Sequence, residues 1–348
     1  MVSYLTEELV KQGHEITLFA TGDSLTSAEL VPCTKTALRL TPTVSDPIPY
    51  YMLMLDKVRA RADDFDMLHF HIDQFHFPIF RPIAHRTLTT LHGRQDLPDL
   101  QALYRGFPDM PLVSISNAQR RPIAMSSFAA TVYHGLPSEL HVANVNPCGN
   151  YLAFLGRICP EKGVDHAIAI ARTAGIPLKI AAKVDKVDEA YFREVIVPLL
   201  DGGDIEFVGE INEQAKTAFL GDALALLFTI DWPEPFGLSL IEAMACGTPV
   251  LAFRRGSVPE VVDEGVTGLI VNTTEEAIAV LPQVFSLDRS AVRRRFEERF
   301  SAERMARDYV RVYHSLLRTP MHSDVYQQLK TPSWPGRING NGKESYAD

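Results

Sequence analysis

Glu234-Pro235-Phe236-Gly237-Leu238-Ser239-Leu240-Ile241-Glu242-Ala243-Met244-Ala245-Cys246-Gly247-Thr248-Pro249-Val250 is the most informative run in this chain. Upstream of it, Leu224 to Phe228 has the length and apolar content of a buried strand. Leu238 to Ala245 reads as a helix ended by Gly247, and Val250 to Phe253 as the next strand. A buried strand, a helix and another buried strand make one βαβ unit of a parallel sheet. Phe236, Gly237 and Leu238 then lie at a helix N-terminus, where unpaired N–H groups and the positive dipole end suit a phosphate or diphosphate. Glu234 sits in the loop before the helix and Glu242 about one turn inside it, so the two acids can address different parts of one ligand. Taken alone, two such glutamates are ordinarily a loop acid and a solvated helix residue; the residues around them alter that weighing.

Working outward, short apolar runs alternate with helical or loop segments on both sides. Glu15 to Ala20, Met67 to Ile72, Thr87 to Leu91, Leu112 to Ile115 and Ala129 to Tyr133 have strand length and composition. A second series comprises Tyr151 to Leu155, Leu178 to Ala181, Ile205 to Val208, Leu224 to Phe228, Val250 to Phe253 and Leu269 to Val271. Helical patterns fall at Val164 to Ala174, Glu189 to Leu200, Leu238 to Ala245, Thr274 to Phe285 and Ala291 to Leu317. Val2, Leu5 and Leu9 recur at helical spacing before Gly13, so the chain opens on a helix. The two series part near Asn144 to Asn150, where Asn, Pro and Gly gather. This predicts an α/β protein with a first domain over 1–146, a second over 147–318 and a polar, loosely packed tail over 319–348. Ligands of such folds bind outside the carboxyl ends of the strands.

Composition narrows the classes. In 348 residues, 46% are hydrophobic and 22% charged, the balance of a globular protein. The formal charge of −9 opposes a primary role in binding nucleic acid. The four cysteines have no CxxC spacing and read as reduced thiols, as in a cytoplasmic protein. No apolar run approaches the roughly 18 residues that a membrane span requires. The basic runs Arg120-Arg121 and Arg293-Arg294-Arg295 could touch anionic lipid as a peripheral contact. Glu297 and Glu298 make the second of them read as a solvated helix face. None of the eleven histidines shows the spacing of HExxH, so no metal site is expected.

A second chemical element is Leu155-Gly156-Arg157-Ile158-Cys159-Pro160-Glu161-Lys162-Gly163. A strand-to-helix turn bearing glycines and two cations five positions apart suits a diphosphate. Together with the Glu234–Val250 run it resembles the retaining glycosyltransferases of family 4 (glycosyl transferases group 1). Their hallmark is a Glu-x7-Glu element, and they fold as two Rossmann-like domains facing across a cleft, the GT-B architecture.

The resemblance implies transfer of a sugar from a nucleoside diphosphate sugar, most nearly UDP-glucose, to an acceptor hydroxyl with retention at the anomeric carbon. The acceptor would be a small metabolite, a glycan or a lipid. It places Arg157 and Lys162 on the donor phosphates and assigns backbone groups of Gly209 and Ile211 to the nucleobase. It also puts Phe236, Gly237 and Leu238 on the diphosphate, Glu242 on the ribose, and Glu234 and His92 beside the transferring sugar. No cofactor and no metal are implied beyond the nucleotide-sugar co-substrate. Arg255 to Glu260 and Gly265 to Val271 also fit the family, and could equally be ordinary turns. His69 and His71 close a strand and either point into the cleft or are packed strand-end residues or a polar lip without chemistry, the latter favoured for His69. His134 reads as a hinge residue packing there or touching substrate. The family begins with a further strand and a Gly-rich loop ahead of this first helix, so the first domain is expected to be incomplete at its N-terminus. Two other activities suit the same residues: a nucleotide-sugar epimerase or hydrolase, and a non-catalytic sugar-nucleotide-binding protein.

Overall fold

The computed structural model describes residues 1–318; the stretch expected to be a loose tail lies outside them. In the second half, six parallel strands join in one sheet. They are β7 (Leu152–Ile158), β8 (Leu178–Val184), β9 (Ile205–Gly209), β10 (Ala225–Phe228), β11 (Val250–Phe253) and β12 (Gly268–Val271). Their order is β12-β11-β10-β7-β8-β9. Side chains alternate across this sheet, as the strand pleat requires. Ala225 and Leu227 pack with Ile168 and Ala171 of the helix Val164–Ala174 on one face. Leu226 and Phe228 pack with Ile241 and Met244 of the helix Leu238–Ala245 on the other. With apolar side chains on both faces and every strand paired, the core of this half is continuous.

The first half is built differently. β1 (Thr17–Thr21) and β2 (Glu29–Thr34) pair as a parallel ribbon. β3 (Leu68–Phe70), β4 (Thr87–Thr90), β5 (Leu112–Ser114) and β6 (Phe128–Thr131) form a separate parallel sheet in that order. Among the described residues β1 pairs only with β2, and β3 only with β4. Both border a cavity of about 1130 Å³, whose other walls include the opening helix Val2–Lys11 and the last described helix, Ala302–Arg318. The sheet of the first half is therefore split between β1 and β3.

Two sequence expectations are revised. The helix over Glu189 to Leu200 is instead a short α turn (Glu189–Tyr191), a π-helical stretch (Phe192–Ile196) and a 3-10 turn (Val197–Leu199). Pro198 can donate no backbone hydrogen bond there. The single helix over Ala291 to Leu317 is two, Arg289–Phe300 and Ala302–Arg318, separated by an extended Ser301. The reason is a tertiary contact: Leu136 donates its N–H to the Phe300 carbonyl at 2.9 Å and accepts from Ala302 N–H at 2.8 Å. Beyond this break the last helix returns to the first half, where Met305, Ala306 and Tyr309 pack with Leu5, Leu88, Val113 and Val132. Arg293, expected on a solvated face, donates to the carbonyls of His141 and Ser138. Among the described residues no helix is long and apolar enough to cross a membrane, and the four cysteines are unpaired.

Candidate functional site

β7 and β10 are neighbours at the centre of the six-stranded sheet, yet the helices that follow them pack on opposite faces. Such a reversal of winding opens a crevice at the carboxyl ends of the two strands. Here it holds a cavity of about 540 Å³, lined by Gly156, Lys162, Glu234, Phe236, Gly237, Leu238 and Glu242 and closed on the first-half side by His92 and His134. The two strand-end loops are tied together. Thr229 Oγ1 donates to the Gly163 carbonyl at 2.6 Å, and Asp231 N–H donates to the Glu161 carbonyl at 2.9 Å. Gly163 has φ +64°, and a Cβ there would lie 2.1 Å from the Thr229 carbonyl oxygen, so only glycine fits that approach.

Glu234 is held from three directions. Lys162 Nζ lies 2.6 Å from its Oε2, and the Trp232 indole N–H donates to the same oxygen at 3.1 Å. Its backbone carbonyl accepts from Ser257 N–H at 3.0 Å, and Ser257 Oγ donates to the Phe236 carbonyl at 2.9 Å. The glycine turn at Gly256 thus anchors the loop carrying Glu234. Gly237 precedes the helix Leu238–Ala245 with φ +84°, and the N-terminus of that helix, with its unpaired N–H groups, lines the cavity.

One turn in, Glu242 forms the floor. Lys216 Nζ is 2.7 Å from Glu242 Oε1 and 3.0 Å from Glu213 Oε2. Burial pushes the Glu242 carboxyl above the usual range, and Lys216 pulls it back. Beside them His141 is almost wholly buried; burial holds its imidazole below its ordinary pKa, with Glu213 opposing.

The opposing wall is a row of neutral imidazoles. His71 Nδ1 lies 2.9 Å from His92 Nε2, so one ring donates to the other, and His92 stacks on His134 with centroids 5.3 Å apart. His69 bridges Tyr313 Oη and Thr90 Oγ1, each at 2.8 Å. Burial lowers the pKa of His92 to about 4 and that of His69 to about 3, and holds His71 and His134 well below the ordinary value. The halves are latched by Glu260, whose carboxylate accepts the N–H groups of Asn117 and Ala118 at 2.7 and 2.6 Å and the Tyr133 hydroxyl at 3.2 Å.

Most of the residues singled out in the sequence thus meet at one cavity: Lys162, Glu234, Phe236, Gly237, Leu238, Glu242, Ile211 and His92. Gly209 ends β9 with φ +75° and passes the chain to Glu210 and Ile211, which line the wall. Arg157 stands apart, its guanidinium 3.6 Å from the carboxylates of Asp185 and Asp188 and half exposed. His71 contacts His92 directly. Sequence reasoning missed Lys216, Trp232 and Glu213. Lys216 stands on a helix, Glu213–Gly221, that carries no motif, and only the fold brings it 26 positions down the chain to Glu242.

Two Rossmann-like units facing across a cleft are the GT-B architecture, which the solved glycosyltransferases similar to this chain share. Residues 141–299, a little under half of the chain, match the model of glycosyl transferases group 1. Over 92% of its length it is 25% identical to N-acetyl-alpha-D-glucosaminyl L-malate synthase of Bacillus anthracis, of which it covers 94%. Alpha-maltose-1-phosphate synthase of Mycolicibacterium smegmatis is 30% identical over 47% of this chain and 48% of that protein. Among solved structures, sucrose-phosphate synthase of Thermosynechococcus elongatus superposes with a TM-score of 0.73 at 17% identity, covering 90% of this chain and 92% of that one. Anabaena HepE in complex with UDP and glucose gives 0.63 at 18% identity, covering 82% of this chain and 86% of that one.

Proposed function

We propose that this protein transfers a sugar from a nucleoside diphosphate sugar, UDP-glucose or a close analogue, to an acceptor hydroxyl with retention at the anomeric carbon. The observation that carries this reading is the convergence, in one cavity, of Lys162, Glu234, the N–H groups at Phe236 to Leu238, and Glu242. The diphosphate lies over the helix N-terminus, where those N–H groups and the Lys162 ammonium offset the charge that grows as the glycosidic C–O bond breaks. Lys162 is paired with Glu234 before donor arrives. Its move to the diphosphate frees Glu234 to hold the hydroxyls of the donor sugar. Arg157 is drawn from Asp185 and Asp188 by the same charge. Glu242, steadied by Lys216, accepts the ribose hydroxyls, and the nucleobase lies against the backbone of Gly209 to Ile211.

Among the described residues lining the cavity, the first-half wall presents His92 and His134 and no carboxylate to act as a nucleophile. Attack on the face the diphosphate leaves, through an oxocarbenium-like state, fits this arrangement and differs from the two-carboxylate route of most glycosidases. The neutral His92 can steady positive charge on the ring. The similarity to N-acetyl-alpha-D-glucosaminyl L-malate synthase, whose name joins a sugar to the small molecule malate, favours a small acceptor bearing a hydroxyl.

Thermal unfolding against UDP-, GDP- and ADP-sugars tests the donor site. Ligand at a hundredfold its Kd adds about 2.7 kcal/mol, enough to move the midpoint by several degrees. One base should stabilise selectively, and Lys162→Ala and Glu242→Ala should each weaken its binding roughly 10- to 100-fold, as loss of a charge-assisted hydrogen bond does. Equal response to all three bases, or none, removes this reading. Product analysis without acceptor then separates transfer from epimerisation or hydrolysis of the donor.

A further inference from the structure

Three ligand-type side chains that lie far apart in sequence converge beside the donor cavity. His141, Glu213 and Glu242 each bring one nitrogen or oxygen to within 4.8 Å of the others'. His141 comes from the segment between the two halves, Glu213 from the first turn of one helix and Glu242 from the interior of another. Two of the atoms are conspicuous. His141 Nε2 and Glu213 Oε1 are buried and neither has a hydrogen-bond partner, although they lie only 3.2 Å apart. A buried imidazole nitrogen and a carboxylate oxygen this close ordinarily share a proton along a good hydrogen bond. These two do not.

Their separation suits a different occupant. Zinc holds histidine nitrogen and carboxylate oxygen at about 2.0–2.2 Å, which puts adjacent tetrahedral ligands about 3.3 Å apart. The rest of the arrangement orients the ligands as an outer shell would. Thr217 Oγ1 lies 3.0 Å from His141 Nδ1, fixing the ring with Nε2 toward the carboxylates. Lys216 takes Oε2 of Glu213 and Oε1 of Glu242, leaving the second oxygen of each. The His141 side chain is fully buried and that of Glu242 nearly so, while Glu213 is 41% exposed, which gives an ion a way in.

We propose that His141, Glu213 and Glu242 bind a divalent transition cation of the zinc class, and that this ion opposes the nucleotide donor by claiming Glu242. The ion has three protein ligands and an open fourth position. The binding site stands on the geometry alone; the opposition to donor rests on Glu242 serving the ribose. With Glu242 engaged by the ion, its carboxylate is withdrawn from the ribose hydroxyls. The site regulates the enzyme and is not needed for its chemistry.

The test is calorimetric titration of the chelator-treated full chain with zinc chloride, no nucleotide present. One ion per chain is expected, with affinity falling at least about tenfold in both His141→Ala and Glu213→Gln. Glu213 is partly exposed, so its substitution reads the site even if the buried His141→Ala variant fails to fold. Equal zinc binding by wild type and Glu213→Gln, or no stoichiometric binding, overturns the site. A second titration measures UDP affinity in zinc and in chelator. Zinc should weaken UDP at least about tenfold in wild type and leave it unchanged in Glu213→Gln. UDP binding unaltered by bound zinc overturns the opposition. Failure of UDP to bind under either condition sinks the donor reading instead, with the ion site still judged by its own titration.

Discussion

The second half closes six strands into one sheet with apolar layers on both faces, whereas the first half divides its six into a pair and a four with a large cavity between them. The polar residues follow the same division. In the second half the charged groups at the cavity are paired, Lys162 with Glu234 and Lys216 with Glu242. In the first half a group of neutral imidazoles is linked to one another, to tyrosines and to threonines. One half therefore sets its charges in pairs around the cavity. The other is a wall that remains uncharged near neutral pH, and whose integrity depends on staying so.

The largest expected effect exploits that difference. His69, His71, His76, His92 and His134 are all held below their ordinary pKa by burial, to about 3 for His69 and His76 and about 4 for His92. A base whose folded pKa is depressed keeps its full stability above the unfolded value of 6.5 and loses it as pH falls toward the folded one. Each histidine should cost about 2 kcal/mol by pH 5, and together they approach the ~5–15 kcal/mol a domain has to spare. Amide exchange at pH 7.5 and pH 5 should show β3–β6 opening in acid while β7–β12 stay protected. Parallel loss of protection in both sheets would break the contrast.

A middle-sized effect compares two glycines of positive φ. At Gly163 an added Cβ meets the Thr229 carbonyl at 2.1 Å, while at Gly13 it meets nothing within 4 Å. Gly163→Ala should destabilise by about 3 kcal/mol or more through backbone displacement, and Gly13→Ala by only about 1–2 kcal/mol of left-handed strain. Denaturant midpoints measure both, and equal shifts would show that the strand-end loops are softer than their contacts indicate. The smallest effect sharpens the comparison at the seam. Glu260→Gln weakens its hydrogen bonds to Asn117 and Ala118, costing about 1 kcal/mol and increasing exchange at the 117–120 turn. No change there would mean that the halves are coupled by the last helix and the Leu136 and Arg293 contacts without help from Glu260.

Where apolar period and end signals were local, sequence and structure agree to the residue: Val164–Ala174, Leu238–Ala245 and Thr274–Phe285. β2 escaped notice because Glu29 and Pro32 interrupt its apolar pattern, which a strand at the sheet margin tolerates. The break at Ser301 escaped because its cause, Leu136, lies 165 positions away. The same division runs through the site. Glu234, Phe236 to Leu238 and Glu242 were legible because they share one loop and helix, and Lys162 because its turn carries glycines.

What the sequence determined by itself, then, was the alternation of strands and helices and the helix N-terminus that lines the cavity. These depend on side-chain periodicity and on neighbours within a few positions. Only tertiary structure decided that Lys216 grips Glu242, that His71 touches His92, that Arg157 turns to Asp185, and that His141 stands against Glu213. Charge pairing and burial act over a few ångströms of space, and the chain fixes those distances only when the strands take their order in the sheets.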